Sequence, residues 1–353
     1  MRGLRTLAVL LGAATAVALT ATFAPVMDRP VERRPGPPPK VFAFVSNHGG
    51  AELRRLEAVG ARIDVIAPNW YGLDAATGEL HGPGRPGPLI EAAAARGVGV
   101  WPTVNALTGG SRAWERPRTR ARIVRSLMAA ATGPGAAGVT LDMEELRRTQ
   151  RAAFTALVGA AAAALRAADR RLAVYVPRPG PGGGAAYDWA ELAAHADLLL
   201  TSGYNEHWAR SRPGATTTGP GFAAVVDRAL DLAGPRKAVP VLGAFGYRWP
   251  QAGPGRLIST VDAQRLRRRL RRTAARSDGS ARFRSGEDTV IYETTAGLRS
   301  RAAAARAAGA RWIGLFTLGR EPAAFWDGLK TNRMPAGAAS ASTFNSHRPA
   351  RRG

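Results

Sequence analysis

Two carboxylates spaced two residues apart, Asp142 and Glu144, are the side chains of this 353-residue chain best placed to carry out acid–base chemistry. They lie in the segment GVTLDME at residues 138–144, whose apolar and polar residues alternate as in a β-strand. Successive strand side chains point to opposite faces, so both carboxyl groups share one face, with Cα atoms about 7 Å apart. Burying a charge is costly unless it is paired. The two residues therefore either form salt bridges with cationic side chains at a strand end or act as a catalytic pair. In a catalytic pair the like charge of Asp142 would raise the pKa of Glu144.

The composition excludes several kinds of chemistry. The chain has no cysteine, which excludes disulfides, thiol catalysis and cysteine-based metal sites. Its five histidines show no metal-ligand spacing, so we expect neither a metal nor a cofactor. The net charge of +24 comes mainly from arginines spread along the chain. Because no nucleic-acid-binding motif accompanies them, we expect no nucleic-acid partner. The basic surface favours an anionic envelope polymer, or reflects only an arginine-rich proteome.

The two ends of the chain differ in composition from its middle. Residues 1–27 carry two arginines and then an apolar run, which predicts a signal peptide or a retained membrane anchor and, in both cases, export to the cell envelope or beyond. Residues 28–40 form a linker rich in proline and arginine, and residues 331–353 a basic tail that we expect to be disordered. The folded domain therefore spans residues 41–330, and any membrane contact is made only through the N-terminal segment.

The segments that must position the carboxylates alternate between strand and helix patterns. We predict eight strands, at residues 41–47, 63–71, 98–105, 138–145, 171–179, 196–205, 238–249 and 311–319. Helical patterns lie between them, for example at residues 51–59, 119–131, 147–168, 222–232 and 297–308. This alternation predicts an α/β fold, a (β/α)8 barrel of parallel strands. Residues 250–296 form an insertion between strands seven and eight, with a basic helix at 262–276 and a hairpin turning at Gly286. We interpret it as a lid beside the cleft or as loose decoration.

Polar and aromatic residues collect where the predicted strands end, which is the face where barrel enzymes carry their sites. Aromatic rings at these ends can stack on sugar faces, although packing at the rim is the alternative for each of them. Our candidates for substrate binding are Trp70, Tyr71, Asn105, Asn205, Tyr247, Trp249 and Phe316.

Five segments, in barrel order, resemble glycoside hydrolase family 18, and most closely its bacterial spore-germination and cell-wall branch. They are IDVIAPNWY at 63–71, GVTLDME at 138–144, YD at 187–188 with LTSGYNEH at 200–207, GYRW at 246–249 and GLFTLG at 314–319. The resemblance covers about residues 41–330. It implies retaining hydrolysis of a polymer that contains β-linked N-acetylglucosamine, assisted by the acetamido group of the substrate itself.

The resemblance also implies roles for three residues. Glu144 would be the general acid and base, Asp142 would orient the acetamide, and Tyr204 would hydrogen-bond its oxygen. Three positions depart from the family pattern, because Thr140 and Asn205 stand where aspartates are usual and Phe316 stands where a tryptophan is usual. These departures bear on substrate and rate more than on the fold.

Three functions remain open from the sequence. The first is an exported glycosidase that acts on peptidoglycan, another envelope glycan or chitin-like oligomers. The second is a non-catalytic, lectin-like protein on the same barrel, because a fold does not fix a function. The third is a structural domain of the envelope that works through its basic surface.

Overall fold

The computed structural model describes residues 38–46, 50–82, 87–178 and 184–329. The predicted signal peptide or anchor, most of the linker and the predicted basic tail lie outside these residues. Within the described part of the chain, no helix is long and apolar enough to cross a membrane.

Eight parallel strands close into a barrel, as the alternating sequence pattern predicts. In ring order the strands are β1, β2, β5, β6, β7, β8, β9 and β15, and β15 pairs again with β1. The predicted (β/α)8 fold is thus confirmed. The strands are β1 (Lys40–Val45), β2 (Val65–Leu73), β3 (Leu80–His81), β4 (Gly99–Val100), β5 (Thr103–Leu107), β6 (Gly138–Glu144), β7 (Arg171–Val176), β8 (Leu198–Ser202), β9 (Ala238–Gly243), β10 (Phe245–Trp249), β11 (Arg256–Ser259), β12 (Ala275–Ser277), β13 (Ser280–Ser285), β14 (Asp288–Glu293) and β15 (Trp312–Phe316).

Helices connect the strands, and most of them bury one face against the outside of the barrel, whereas the helix at Thr260–Arg269 packs against a second, smaller sheet. They are α1 (Ala51–Val59), α2 (Gly87–Ala94), α3 (Pro117–Ala131), α4 (Arg151–Ala167), α5 (Trp189–His195), α6 (Gly219–Ala233), α7 (Thr260–Arg269), α8 (Thr295–Ala307) and α9 (Ala324–Asp327). Several begin at side-chain caps: Asp188, Thr218 and Thr294 each accept a hydrogen bond from a backbone N–H three residues on. These caps fix where each helix starts relative to the strand that precedes it.

Two predicted strands are divided in the structure. The third is interrupted at Trp101 and Pro102, between β4 and β5; proline has no N–H to donate to a ladder. The predicted strand at 238–249 becomes β9 and β10, which belong to different sheets. Only β9 lies in the barrel, because the chain turns away after Gly243.

The second sheet is antiparallel, in the order β11, β10, β14, β13, β12, and it begins at Phe245 rather than at the predicted residue 250. The predicted hairpin is present, with Arg284 opposite Thr289 on either side of the turn. A buried contact between charged residue types joins the sheet to helix α8, where Arg301 Nε lies 3.5 Å from a carboxyl oxygen of Glu293. Arg301 also donates hydrogen bonds to the carbonyl oxygens of Thr217 and Asp278. The insertion is therefore packed onto the barrel and is not loose decoration.

Candidate active site

Strand β6 carries Asp142 and Glu144 on its inward face, both partly buried. Thr140 precedes them on the same face and is fully buried, and its hydroxyl donates to the carbonyl oxygen of Trp101 at 3.2 Å. Asn105 lies opposite Asp142 in the β5–β6 register, and its Nδ2 donates to Asp142 Oδ2 at 3.1 Å. The two carboxyl groups lie close enough for each to act on the pKa of the other. Their separation and direction are thus set by one strand and by the asparagine beside it.

Burial is the main cause of the raised pKa values of Asp142 and Glu144. It raises the pKa of Asp142 well above its usual range, and the neighbouring Glu144 charge adds to the rise. Burial also raises the pKa of Glu144, with a further contribution from the charge of Glu145. The interaction with Asp142 acts on the Glu144 pKa in the opposite direction. Burial is thus the main cause of the raised pKa of Glu144, and the repulsion between the two carboxylates raises the pKa of Asp142.

Two tyrosines lie beside the carboxylates inside the barrel. Tyr204 follows β8, and Tyr175 lies on β7; their hydroxyl oxygens are 3.4 Å apart, with Tyr175 as the donor. Burial raises the pKa of both phenols, and the charges of Asp142 and Glu144 raise them further. Both phenols therefore stay protonated and can donate hydrogen bonds.

Tyr175 is a site residue that the sequence did not reveal. It lies within the apolar run Leu172–Val176, in which strand residues of both faces look alike. The available signal was its two-residue spacing from Ala173, which also lies in the barrel interior.

A third tyrosine supports β6 from the opposite side of the strand. The Tyr187 hydroxyl donates to the carbonyl oxygen of Met143, between the two carboxylates, at 2.8 Å. The Tyr187 ring packs edge-on against Phe154 of α4. This contact anchors the strand that carries Asp142 and Glu144 to the helix layer.

A cluster of aromatic rings lies beside Tyr204 and forms the floor of the candidate site. Phe316, at the end of β15, lies 5.7 Å from the Tyr204 ring at a tilt of 38° and 6.0 Å from the Phe245 ring. Phe44 closes the cluster from β1. Phe316 is partly exposed, so one part of its ring remains available to a ligand.

Tyr247 and Trp249 are carried by the second sheet but pack with the barrel interior cluster. Their rings lie 5.3 Å apart. Both are largely buried, and the Trp249 indole nitrogen has no hydrogen-bond partner among the described residues. The sheet that begins at Phe245 thus adds aromatic rings to the interior cluster that contains Tyr204.

Three predicted binding residues are not brought to the carboxylates. Trp70 is only 2% exposed and packs in the layer between barrel and helices, and Tyr71 packs against the same outer layers. A β-bulge between Asn69 and Tyr71 changes the register of β2 at this point. Asn205 is exposed and left-handed, with φ at 68°, so it turns the chain out of β8 immediately after Tyr204.

The fold resembles that of several solved hydrolases. A chitinase from Chromobacterium violaceum superposes with a TM-score of 0.72 at 24% identity, over 82% of this chain and 97% of the chitinase. The spore cortex-lytic enzyme SleL from Bacillus cereus gives a TM-score of 0.72 at 14% identity, over 83% of this chain and 74% of the enzyme. No protein-family model matches the sequence, and no curated protein matches it significantly. The likeness therefore establishes a shared barrel fold.

Proposed function

We propose that this chain is a glycoside hydrolase that cleaves polymers containing β-linked N-acetylglucosamine, with retention of configuration. The observation that carries the proposal is the Asp142–Glu144 pair: two carboxyl groups with raised pKa values, side by side at the carboxyl end of a barrel strand. Active sites of (β/α)8 enzymes lie at this end of the barrel.

The arrangement of the two carboxyl groups favours one class of mechanism. Conventional glycosidases place two carboxyl groups on either side of the scissile bond, about 5–9.5 Å apart, so that one faces the acid across the sugar. Asp142 and Glu144 instead project from the same face of one strand, two residues apart. Asp142 therefore lies on the same side as the acid, and the nucleophile must come from the substrate.

In the first step Glu144 donates its proton to the glycosidic oxygen as the bond from that oxygen to the anomeric carbon breaks. The acetamido oxygen of the same sugar attacks the anomeric carbon and forms a cyclic oxazolinium ion. Ionised Asp142, held by Asn105, orients the acetamide N–H and stabilises the positive charge. Tyr204 donates a hydrogen bond to the acetamide oxygen before it attacks.

In the second step Glu144 accepts a proton from water as the water oxygen attacks the anomeric carbon. The oxazolinium ring opens, the acetamide is restored, and Glu144 is again protonated. Two inversions at the same carbon give net retention, and no other nucleophile is needed.

The similar folds support the substrate class. One is called a chitinase and another a spore cortex-lytic enzyme, and the sequence resembles the cell-wall branch of family 18. We propose a glycan of the cell envelope, reached by export through residues 1–27, as the natural substrate. The basic surface would hold the protein near such anionic polymers.

The test compares wild-type protein with Glu144→Gln on peptidoglycan and on N-acetylglucosamine oligomers, with new reducing ends detected by mass spectrometry. Glu145→Gln is the matched control, because Glu145 is the adjacent acid but is exposed and bonds to the backbone N–H of Gly109. We expect products from wild type and Glu145→Gln, and at least a 1,000-fold loss in Glu144→Gln, roughly the size expected for losing a general acid. Glycan binding with no products from any variant would favour the lectin-like alternative.

A further inference from the structure

A basic cavity lies on the same rim of the barrel as the carboxylate pair. It has a volume of about 600 Å³ and lies between the end of β15, the start of α1 and helix α7. Its charged lining residues are Glu52, Arg54, Arg55, Asp262, Arg265 and Arg320. Four guanidinium groups thus face two carboxylates, so the cavity carries a positive charge.

Arg320 is the central feature of this cavity. It follows β15 and is half-buried, and its backbone carbonyl oxygen accepts a hydrogen bond from the N–H of Val261. Its guanidinium forms no ion pair with any carboxylate of the described residues, although the charges of Glu52 and Asp262 act on it from a distance. A half-buried cation without a direct partner is costly, and an anionic ligand would remove that cost.

The other charged groups differ in how far they are already engaged. Arg55 is bound to the buried Glu321 at 2.7 Å, and Arg265 pairs at 3.3 Å with Asp262. Arg54 is exposed and forms no ion pair within the described part of the chain. Glu52 is only 6% exposed and its Oε2 has no hydrogen-bond partner there, so it opposes an anion and can accept from an ammonium or amide group. The free donors of the cavity are therefore those of Arg54 and Arg320.

The cavity also has an apolar side. Leu257 is 43% exposed, and it lines the cavity with Ile258 and Leu318. Leu318 comes two residues after Phe316, the aromatic floor residue of the site.

We propose that this cavity is a subsite for a carboxylate-bearing substituent of the glycan, which makes the preferred substrate an acidic glycan and not a neutral one. The proposal rests on the glycosidase function given above. A guanidinium fork matches a carboxylate in shape and charge, and the apolar side accommodates the aliphatic atoms that join such a group to the sugar.

The experiment measures binding by calorimetry in the Glu144→Gln protein, so that no ligand is consumed. The probes are a peptidoglycan fragment whose stem peptides carry free carboxylates, the same fragment with those carboxylates amidated, and a neutral N-acetylglucosamine oligomer of equal sugar number. Amidation should weaken binding by about tenfold, the effect of losing one charge-assisted bond. Adding Arg320→Gln or Arg54→Gln should bring the ratio of the two fragment affinities close to one. The control, Arg268→Gln, removes an exposed arginine of the same α7 that does not line the cavity, and should leave the ratio unchanged.

The outcomes separate this inference from the function on which it rests. Equal affinities for the free and amidated fragments, with hydrolysis by wild type intact, would overturn the subsite alone. An equal loss in Arg268→Gln would assign the effect to general surface charge and also overturn it. Displacement of the fragment by inorganic phosphate but not by acetate would assign the cavity to a phosphate group instead. If neither the fragments nor the oligomer bind and wild type gives no products, both proposals fail.

Discussion

Replacing Asn105 with alanine tests whether the Asn105 hydrogen bond favours the ionised form of Asp142 that the proposed mechanism needs. The Asn105 amide supplies the hydrogen bond to Asp142 Oδ2, and Oδ1 is buried without a hydrogen-bonding N–H or hydroxyl partner among the described residues. That bond is also the interaction that lowers the Asp142 pKa against the effect of burial. Loss of this hydrogen bond therefore destabilises the ionised form of Asp142 relative to the protonated form.

The size of the effect follows from the type of bond. A hydrogen bond to a charged group contributes about 1.5–3 kcal/mol, which corresponds to roughly a 10- to 100-fold loss in kcat if ionised Asp142 stabilises the intermediate. The pKa of Asp142 rises in Asn105→Ala, so a smaller fraction is ionised at any given pH. The acidic limb of the pH–rate profile should move to higher pH, and the loss should be larger at pH 5 than at pH 8.

The assay is the pH dependence of kcat on an N-acetylglucosamine oligomer for wild type, Asn105→Ala, Asp142→Asn and the double variant. Because Asn105 acts through Asp142, the double variant should be little worse than Asp142→Asn alone. A loss of equal size at every pH, or losses that multiply in the double variant, would refute the reasoning. Thermal unfolding of each variant checks that the fold is retained.

Three further perturbations probe the support of the site and of the insertion. Tyr187→Phe removes the hydroxyl that donates to the Met143 carbonyl oxygen. We expect a loss of about 1 kcal/mol in the free energy of unfolding, together with a lower kcat and an unchanged KM. A rise in KM alone would contradict the positioning role of Tyr187. Glu145→Gln removes a charge that raises the Glu144 pKa, so the basic limb of the pH–rate profile should move to lower pH; a shift to higher pH would be inconsistent with the assigned cause. Burial raises the pKa of Glu293 to about 8, above its value of 4.5 in the unfolded chain, so the free energy of unfolding should fall as the pH rises from about 4.5 to 8. Glu293→Gln lacks this titrating group, so the Tm of the variant minus that of wild type should increase as the pH rises across that range. Parallel Tm curves would show that the carboxyl group is already ionised in the folded protein.

The sequence predicts the barrel well because its signals are local and repeated. Each strand is a short β-rich run, and some of the helices begin at a capping side chain, as at Thr218 and Thr294. Asp142 and Glu144 were identifiable because charged residues are unusual in an apolar strand. Tyr204 and Phe316 were identifiable because they end strands that the family resemblance aligns.

Other features depend on contacts that local patterns do not encode. Trp70 faces the helix layer because a bulge at Asn69 alters the register of β2, and bulges have no fixed sequence signature outside glycine. The division of residues 238–249 depends on antiparallel partners that lie up to 46 residues further along the chain, such as Tyr292 opposite Gly246. Tyr175 was missed because an all-apolar strand does not show which of its faces is inside.

The way the second sheet joins the barrel determines how the protein can be built and taken apart. Ala244 is the single residue between β9 and β10; its N–H donates to the Phe316 carbonyl oxygen, and its own carbonyl accepts from Thr260. Phe245 of the second sheet packs within the barrel interior. Arg301 donates hydrogen bonds to the carbonyl oxygen of Thr217, just before α6, and to that of Asp278, between β12 and β13. Neither the barrel nor the second sheet therefore completes its core alone. The insertion is thus not a transferable module. Excising residues 245–293 would uncover the interior at the carboxyl end of the barrel strands, and the two sheets should unfold together in one cooperative transition.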